Sequence, residues 1–115
     1  MAVLLCIETS TEICSVTLSE HHLILAQEES NEGNSHAEKL LPFIDNVFKK
    51  VALPIEKMDA VCISEGPGSY TGLRIGVSTA KGLCFALHKP LIAVSTLQAM
   101  RSEEHTSELQ SRSDL

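Results

Sequence analysis

A glycine-rich turn is the first feature of this sequence that could carry chemistry. Gly66-Pro67-Gly68 follows a short apolar run and precedes a segment with helical spacing. Such a turn can bind a phosphate, because free backbone amides and the helix dipole both attract anions. The spacing fits neither usual phosphate-binding loop: G-x-x-x-x-G-K-[ST] is absent, and Thr71 replaces the third glycine of the dinucleotide fingerprint. We therefore predict a structural turn followed by a packing helix, with phosphate binding as the less favoured interpretation.

Acidic and nucleophilic side chains offer little sign of catalysis. Glu8 opens a polar loop beside Thr9 and Ser10, where it is a single carboxylate. The serines at 10, 69 and 95 have no histidine and carboxylate placed by a recognisable motif, so no nucleophile–base pair is predicted. His21, His22 and His36 form no spaced pair of metal ligands, and we interpret them as surface or capping residues.

The composition excludes several other classes of protein. The formal charge is −6 and no lysine or arginine precedes Lys39, which argues against a cationic face able to bind nucleic acid alone. No apolar run approaches the roughly 20 residues of a membrane span, and no secretory signal is recognisable. The four cysteines show no close pairing in the sequence, so we predict reduced, buried thiols: Cys6, Cys14, Cys62 and Cys84. These features predict a cytoplasmic protein with no membrane association.

Hydrophobic periodicity predicts the elements that must position the turn. Three strands come first, then a helix, a buried strand over 60–64, a second helix after the glycine turn, and a last strand over 91–94. The first helix carries an apolar face, listed as Leu40, Leu41, Ile44, Val47, Phe48 and Val51. The order is βββαβαβ, and its two helical crossovers should place the later strands parallel to the first.

The second helix carries more apolar surface than one core needs. One row should face the sheet: Leu73, Val77, Ala80, Cys84 and Leu87. A neighbouring row is small, and each helical glycine in it costs about 1 kcal/mol relative to alanine. We predict that this small row contacts a partner helix, together with Phe43 of the first helix; its members are Gly72, Gly76, Thr79 and Leu83.

Residues 101–115 do not share the pattern of the preceding residues. The segment has few apolar residues and no buried face, and it resembles the in-frame translation of a sequencing-adapter oligonucleotide. We predict a non-native, disordered tail at 101–115 that follows a native region at 1–100.

Three motifs together carry a family resemblance. L-L-C-I-E-T-S-T-E-I-C-S-V at 4–16, S-H-A-E-K-L-L-P at 35–42 and G-P-G-S-Y-T-G-L-R-I-G-V-S-T-A-K-G-L at 66–83 resemble the TsaB (YeaZ) family. These are bacterial partner proteins in the threonylcarbamoyladenosine modification of tRNA. The resemblance implies an α/β fold, the N-terminal lobe of an actin-like ATPase (ribonuclease H-like) structure, with a βββαβαβ mixed sheet and helices packed on it. It also implies truncation before the closing helix and the second lobe, so that 1–100 is a partial lobe.

The resemblance implies a non-catalytic subunit with no catalytic, cofactor-binding or metal-binding residues. Its implied partners are a TsaD-type catalytic subunit and a TsaE-type ATPase, with a homodimer when the chain is alone and tRNA contacted only through the complex. The related catalytic subunit carries an H-x-x-x-H metal motif, and Thr96 and Met100 stand at those positions here. The alternative function is an ATP-dependent phosphotransferase of the actin-like superfamily. In active members of that superfamily the acidic residue of this loop orients a metal–nucleotide complex, which is the role that the resemblance would give to Glu8. A metalloprotease is disfavoured by the missing imidazoles.

Overall fold

The computed structural model describes residues 2–31, 36–68 and 70–95 of the chain. Its elements follow the predicted order, with one added turn of 3₁₀ helix at Ile55–Lys57. The strands are β1 Val3–Glu8, β2 Cys14–Glu20, β3 Leu23–Ser30, β4 Ala60–Ser64 and β5 Leu91–Val94. The helices are α1 His36–Lys50 and α2 Tyr70–Leu87. The predicted βββαβαβ order is confirmed.

The five strands form one mixed sheet in the order β3-β2-β1-β4-β5. The first three strands are a meander of antiparallel pairs, whereas β4 is parallel to β1 and β5 is parallel to β4. Both helical crossovers advance in the same direction across the sheet, so right-handed connections place α1 and α2 on the same face. The predicted parallel pairing of the later strands is therefore confirmed.

Burial alternates along β1 because successive side chains of a strand point to opposite faces. Val3, Leu5 and Ile7 are buried beneath the helices, while the residues between them are half-buried on the other face. The apolar residues of α1 complete this core, and they are Leu40, Ile44, Val47 and Phe48. Leu41 was predicted on the same face but is 58% exposed, since one helical step turns it about 100° away from Leu40.

The structure corrects the predicted orientation of α2. Its buried residues are Gly72, Gly76, Ala80 and Cys84, so the two glycines face the protein interior and not a partner. Leu73, Val77 and Leu87, assigned to the core row, are half-buried beside them. The glycines lie inward because the start of α2 is seated directly on the loop between β1 and β2, where a side chain has no room.

Some predictions concern parts of the chain outside the described residues. The absence of metal ligands at Thr96 and Met100, and the disordered tail at 101–115, stay predictions for this reason. Within the described ranges, neither helix has the length and hydropathy needed to cross a membrane.

Candidate partner interface

The candidate site begins with a tightly packed junction between the β1–β2 loop and the first turns of α2. Thr9 and Ser10 are fully buried in this loop. The Thr9 hydroxyl donates a hydrogen bond to the carbonyl oxygen of Gly72 at 2.6 Å. A Cβ atom at residue 72 would overlap the carbonyl oxygen of Thr9, and one at Gly68 would overlap that of Ser10. Glycine is thus required at both positions because two segments of backbone meet there.

The carboxylate of Glu8 forms hydrogen bonds within the β1–β2 loop. Glu8 Oε2 accepts hydrogen bonds from the backbone N–H of Ser10, at 3.2 Å, and from the Ser10 hydroxyl. These bonds hold the polar turn after β1 in place. Across the described residues, no group of three or more histidine, cysteine, aspartate or glutamate side chains is placed to hold a metal ion. The geometry therefore gives Glu8 a structural role in the junction.

His36 also belongs to the junction, which corrects its predicted surface location. It is the first residue of α1 and only 5% exposed. Its Nε2 lies 2.7 Å from the carbonyl oxygen of Thr11; because a carbonyl can only accept, Nε2 carries the proton and donates. Within the described part of the chain, Nδ1 is buried without a hydrogen-bond partner. By contrast, His21 and His22 are exposed at the β2–β3 turn, as predicted.

Replacing Thr9 with valine is expected to lower the free energy of unfolding by about 1–3 kcal/mol. The substitution preserves the side-chain shape but removes the buried hydroxyl that donates to the carbonyl oxygen of Gly72. Urea denaturation of the wild type, Thr9→Val and Thr9→Ser would measure the effect. Serine keeps the hydroxyl and should lose only about 0.8 kcal/mol, for one buried methyl group. A valine variant as stable as the wild type would show that this hydrogen bond contributes nothing to the junction.

The opposite side of α2 presents an uncharged, exposed surface, which we call the α2 outer strip. It consists of Ser78, Gly82, Phe85 and Ala86, all exposed, with Thr79 and Leu83 half-buried at its edge. Phe85 is 85% exposed, and a Cβ atom built at Gly82 has no neighbour within 4 Å among the described residues that face it. The strip is therefore smooth and open beside one large aromatic ring.

The structure separates the predicted interface residues into two groups. Thr79 and Leu83 border the α2 outer strip, whereas Gly72 and Gly76 lie under the helix. Phe43 of α1 is half-buried and packs against the core. The sequence reasoning missed Ser78, Gly82 and Ala86, although their spacing of four residues marks them as a second small row. The interface itself stays a prediction, now centred on this row.

Comparison with known proteins places the chain in a family. The family model described as TsaD, tRNA N6-adenosine threonylcarbamoyltransferase, matches residues 24–111. A tRNA threonylcarbamoyladenosine biosynthesis protein TsaB from Haemophilus influenzae is 39% identical in an alignment of 102 residues that covers 84% of this chain and 41% of that protein. The protein of the same name from Escherichia coli is 35% identical over 97 residues, covering 84% of this chain and 42% of the relative.

A solved structure resembles this chain in both fold and sequence. YeaZ from Pseudomonas aeruginosa superposes with a TM-score of 0.82 at 33% identity, covering 92% of this chain and 50% of that one. The chain thus spans about half or less of the length of the relatives it matches. The mixed sheet with two helices on one face agrees with these neighbours and with the actin-like fold. The chain belongs to the tRNA N6-adenosine threonylcarbamoyltransferase (TsaD) family, in which it is a TsaB/YeaZ-type member.

Proposed function

We propose that this chain acts in tRNA threonylcarbamoyladenosine biosynthesis as a non-catalytic partner subunit that supports a TsaD-type catalytic subunit. The names of the TsaB relatives support a role in this pathway, and the match to the TsaD family model supports a TsaD-type protein as the partner. The nucleoside modified in the tRNA is the adenosine next to the anticodon. A TsaE-type ATPase, self-association in the absence of TsaD, contact with tRNA only through the complex, and a cytoplasmic location belong to the same proposal.

The observation that carries the proposal is the α2 outer strip. An uncharged helix face with small residues allows a second helix to approach closely, and an exposed aromatic side chain beside it supplies buried area on association. Lys81 and Arg74 lie on the side of the helix beyond Phe85, so the strip has a charged border. Such an uncharged centre with a charged rim is the usual arrangement of a protein–protein contact.

The junction beneath α2 argues against the alternative, an ATP-dependent phosphotransferase. The glycine turn that could have received a phosphate lies against the β1–β2 loop, with Gly68 packed on Ser10. The carboxylate that could have oriented a metal–nucleotide complex accepts two hydrogen bonds from Ser10. Both features favour a binding role over phosphoryl transfer.

Two titrations of the purified chain test the proposal. Added to a TsaD-type subunit, it is expected to give a saturable heat of binding with a dissociation constant of about 1 μM or tighter. ATP with magnesium is expected to bind no tighter than about 1 mM, because Gly68 of the turn is packed against Ser10. Micromolar, magnesium-dependent ATP binding with no response to TsaD would favour the phosphotransferase and contradict the partner role.

A further inference from the structure

Two cysteines meet on the face of the sheet opposite α1 and α2. Cys6 on β1 and Cys62 on β4 are direct partners in the parallel register of these neighbouring strands. Adjacent strands lie about 4.8 Å apart, and side chains at paired positions point to the same face. Both thiols are half-buried, whereas Cys14 and Cys84 are buried. The pair is therefore a cluster of two nucleophilic groups that solvent can reach.

The two thiols interact directly, and this interaction shifts their pKa values in opposite directions. A hydrogen bond from the Cys6 thiol lowers the pKa of Cys62 to about 7, although burial opposes this by raising it. The same hydrogen bond, then burial and the negative charge of Cys62, raise the pKa of Cys6. Cys62 therefore loses its proton before Cys6 does, and the thiolate of the pair forms on Cys62. By contrast, burial raises the pKa of Cys14 and of Cys84.

Few other charges face the pair. Among the described strand residues, the alternation of the strands places the carboxylates of Glu8 on β1 and Glu29 on β3 on this face. On the same face, β2 contributes Ser15, Thr17 and Ser19, and β5 has no titratable side chain. The nearer carboxylate, Glu8, is engaged by Ser10. The hydrogen bond between the two cysteines is therefore the main local influence on the thiolate.

We propose that Cys6 and Cys62 form a redox-active dithiol that hydroperoxides oxidise to a disulfide between β1 and β4. In the first step, the Cys62 thiolate attacks the peroxide, the O–O bond breaks, and the leaving oxygen takes up a proton. This step oxidises Cys62 to a sulfenic acid. In the second step, the Cys6 sulfur attacks the Cys62 sulfur, the S–O bond breaks and water leaves with the Cys6 proton. With hydrogen peroxide, two thiols lose two electrons and two protons, and the peroxide becomes two water molecules.

The spacing of the strands makes this modification reversible. A disulfide requires its Cβ atoms to be roughly 3.5–4.5 Å apart, whereas side chains in register on parallel strands start about 4.8 Å apart. Forming the bond must draw β1 and β4 together locally. Strained disulfides have higher reduction potentials and are reduced readily, which is typical of regulatory and not structural pairs. This inference concerns the sheet face opposite α2 and does not depend on the proposed function.

The experiment is mass spectrometry of the full chain after exposure to hydrogen peroxide and blocking with iodoacetamide. The expected product is a cross-linked peptide joining Cys6 to Cys62, which is lost again on addition of dithiothreitol. Before oxidation, Cys62 at pH 7 should be alkylated roughly threefold faster than an ordinary thiol of pKa near 8.5. About half of it is thiolate, and the lower nucleophilicity of a thiolate of lower pKa offsets part of that gain. Because this measurement uses the wild-type protein, its result does not depend on whether a substituted variant folds.

Matched variants separate the roles of the two sulfurs. Cys6→Ala removes the hydrogen-bond donor as well as the resolving sulfur. It should leave a sulfenic acid at Cys62 that dimedone traps, and should slow alkylation of Cys62 at pH 7 about threefold. Cys62→Ser should give neither the cross-link nor the trapped adduct. Cys84→Ala is the control and should keep the cross-link. Oxidation that stops at Cys62 in the wild type, a cross-link involving Cys14 or Cys84, or no reaction in the folded protein would each overturn the proposal.

Discussion

Replacing Gly72 with alanine is expected to destabilise the folded chain by about 3 kcal/mol or more. The added Cβ would overlap the carbonyl oxygen of Thr9, which is backbone in a fully buried loop and cannot turn aside as a side chain would. Any shift of α2 that relieved the overlap would also stretch the hydrogen bond from Thr9 to Gly72. Helix propensity alone predicts the opposite sign, a gain of about 1 kcal/mol for alanine. Packing therefore determines the outcome.

Gly82→Ala is the matched control, because it makes the same change in the same helix at an open position. In the part of the chain that the structure describes, nothing lies within 4 Å of a Cβ built there, so the variant should be more stable than the wild type by about 0.5–1 kcal/mol. Urea denaturation followed by circular dichroism would compare the two midpoints. If both alanine variants shifted the midpoint in the same direction, the seating of α2 on the β1–β2 loop would be wrong.

Replacing Gly82 with leucine is expected to weaken binding to a TsaD-type subunit by roughly 100-fold, equivalent to about 2.7 kcal/mol. The leucine side chain would project from the centre of the α2 outer strip and hold the facing helix away from Phe85. Because the position is open, the isolated chain should keep its helical circular dichroism spectrum. Titration calorimetry with the partner subunit would measure the loss. This expectation depends on the proposed function.

Two further variants delimit the surface. Lys81→Ala changes an exposed neighbour outside the strip and should alter affinity by less than about tenfold, since charges at the rim contribute little. Gly76→Leu tests the inner row, where a Cβ would overlap the Thr9 hydroxyl and lie 2.9 Å from Ile63 Cδ1. We expect that variant to unfold. Undiminished binding of Gly82→Leu would place the interface elsewhere on the chain.

Local pattern was sufficient to predict the elements and their order. The alternation in 14–19 and the spacing of the apolar residues in α1 are properties of short segments, and each period matches one type of backbone. The parallel pairing of β4 and β5 followed from the helical connections, because short right-handed crossovers leave few alternatives. The family was also recognisable, since the motif at 66–83 is long and specific. These features needed no information about distant contacts.

Tertiary structure decided which residues face one another. Both rows of α2 have helical spacing, and only the β1–β2 loop beneath the helix determines that Gly72 and Gly76 face inward. His36 is buried because the carbonyl of Thr11 lies against it. Cys6 and Cys62 are neighbours because of the β1–β4 register, to which no local periodicity corresponds. Each of these depends on segments that are distant in the chain, so the sequence alone determined the elements and the fold determined the site.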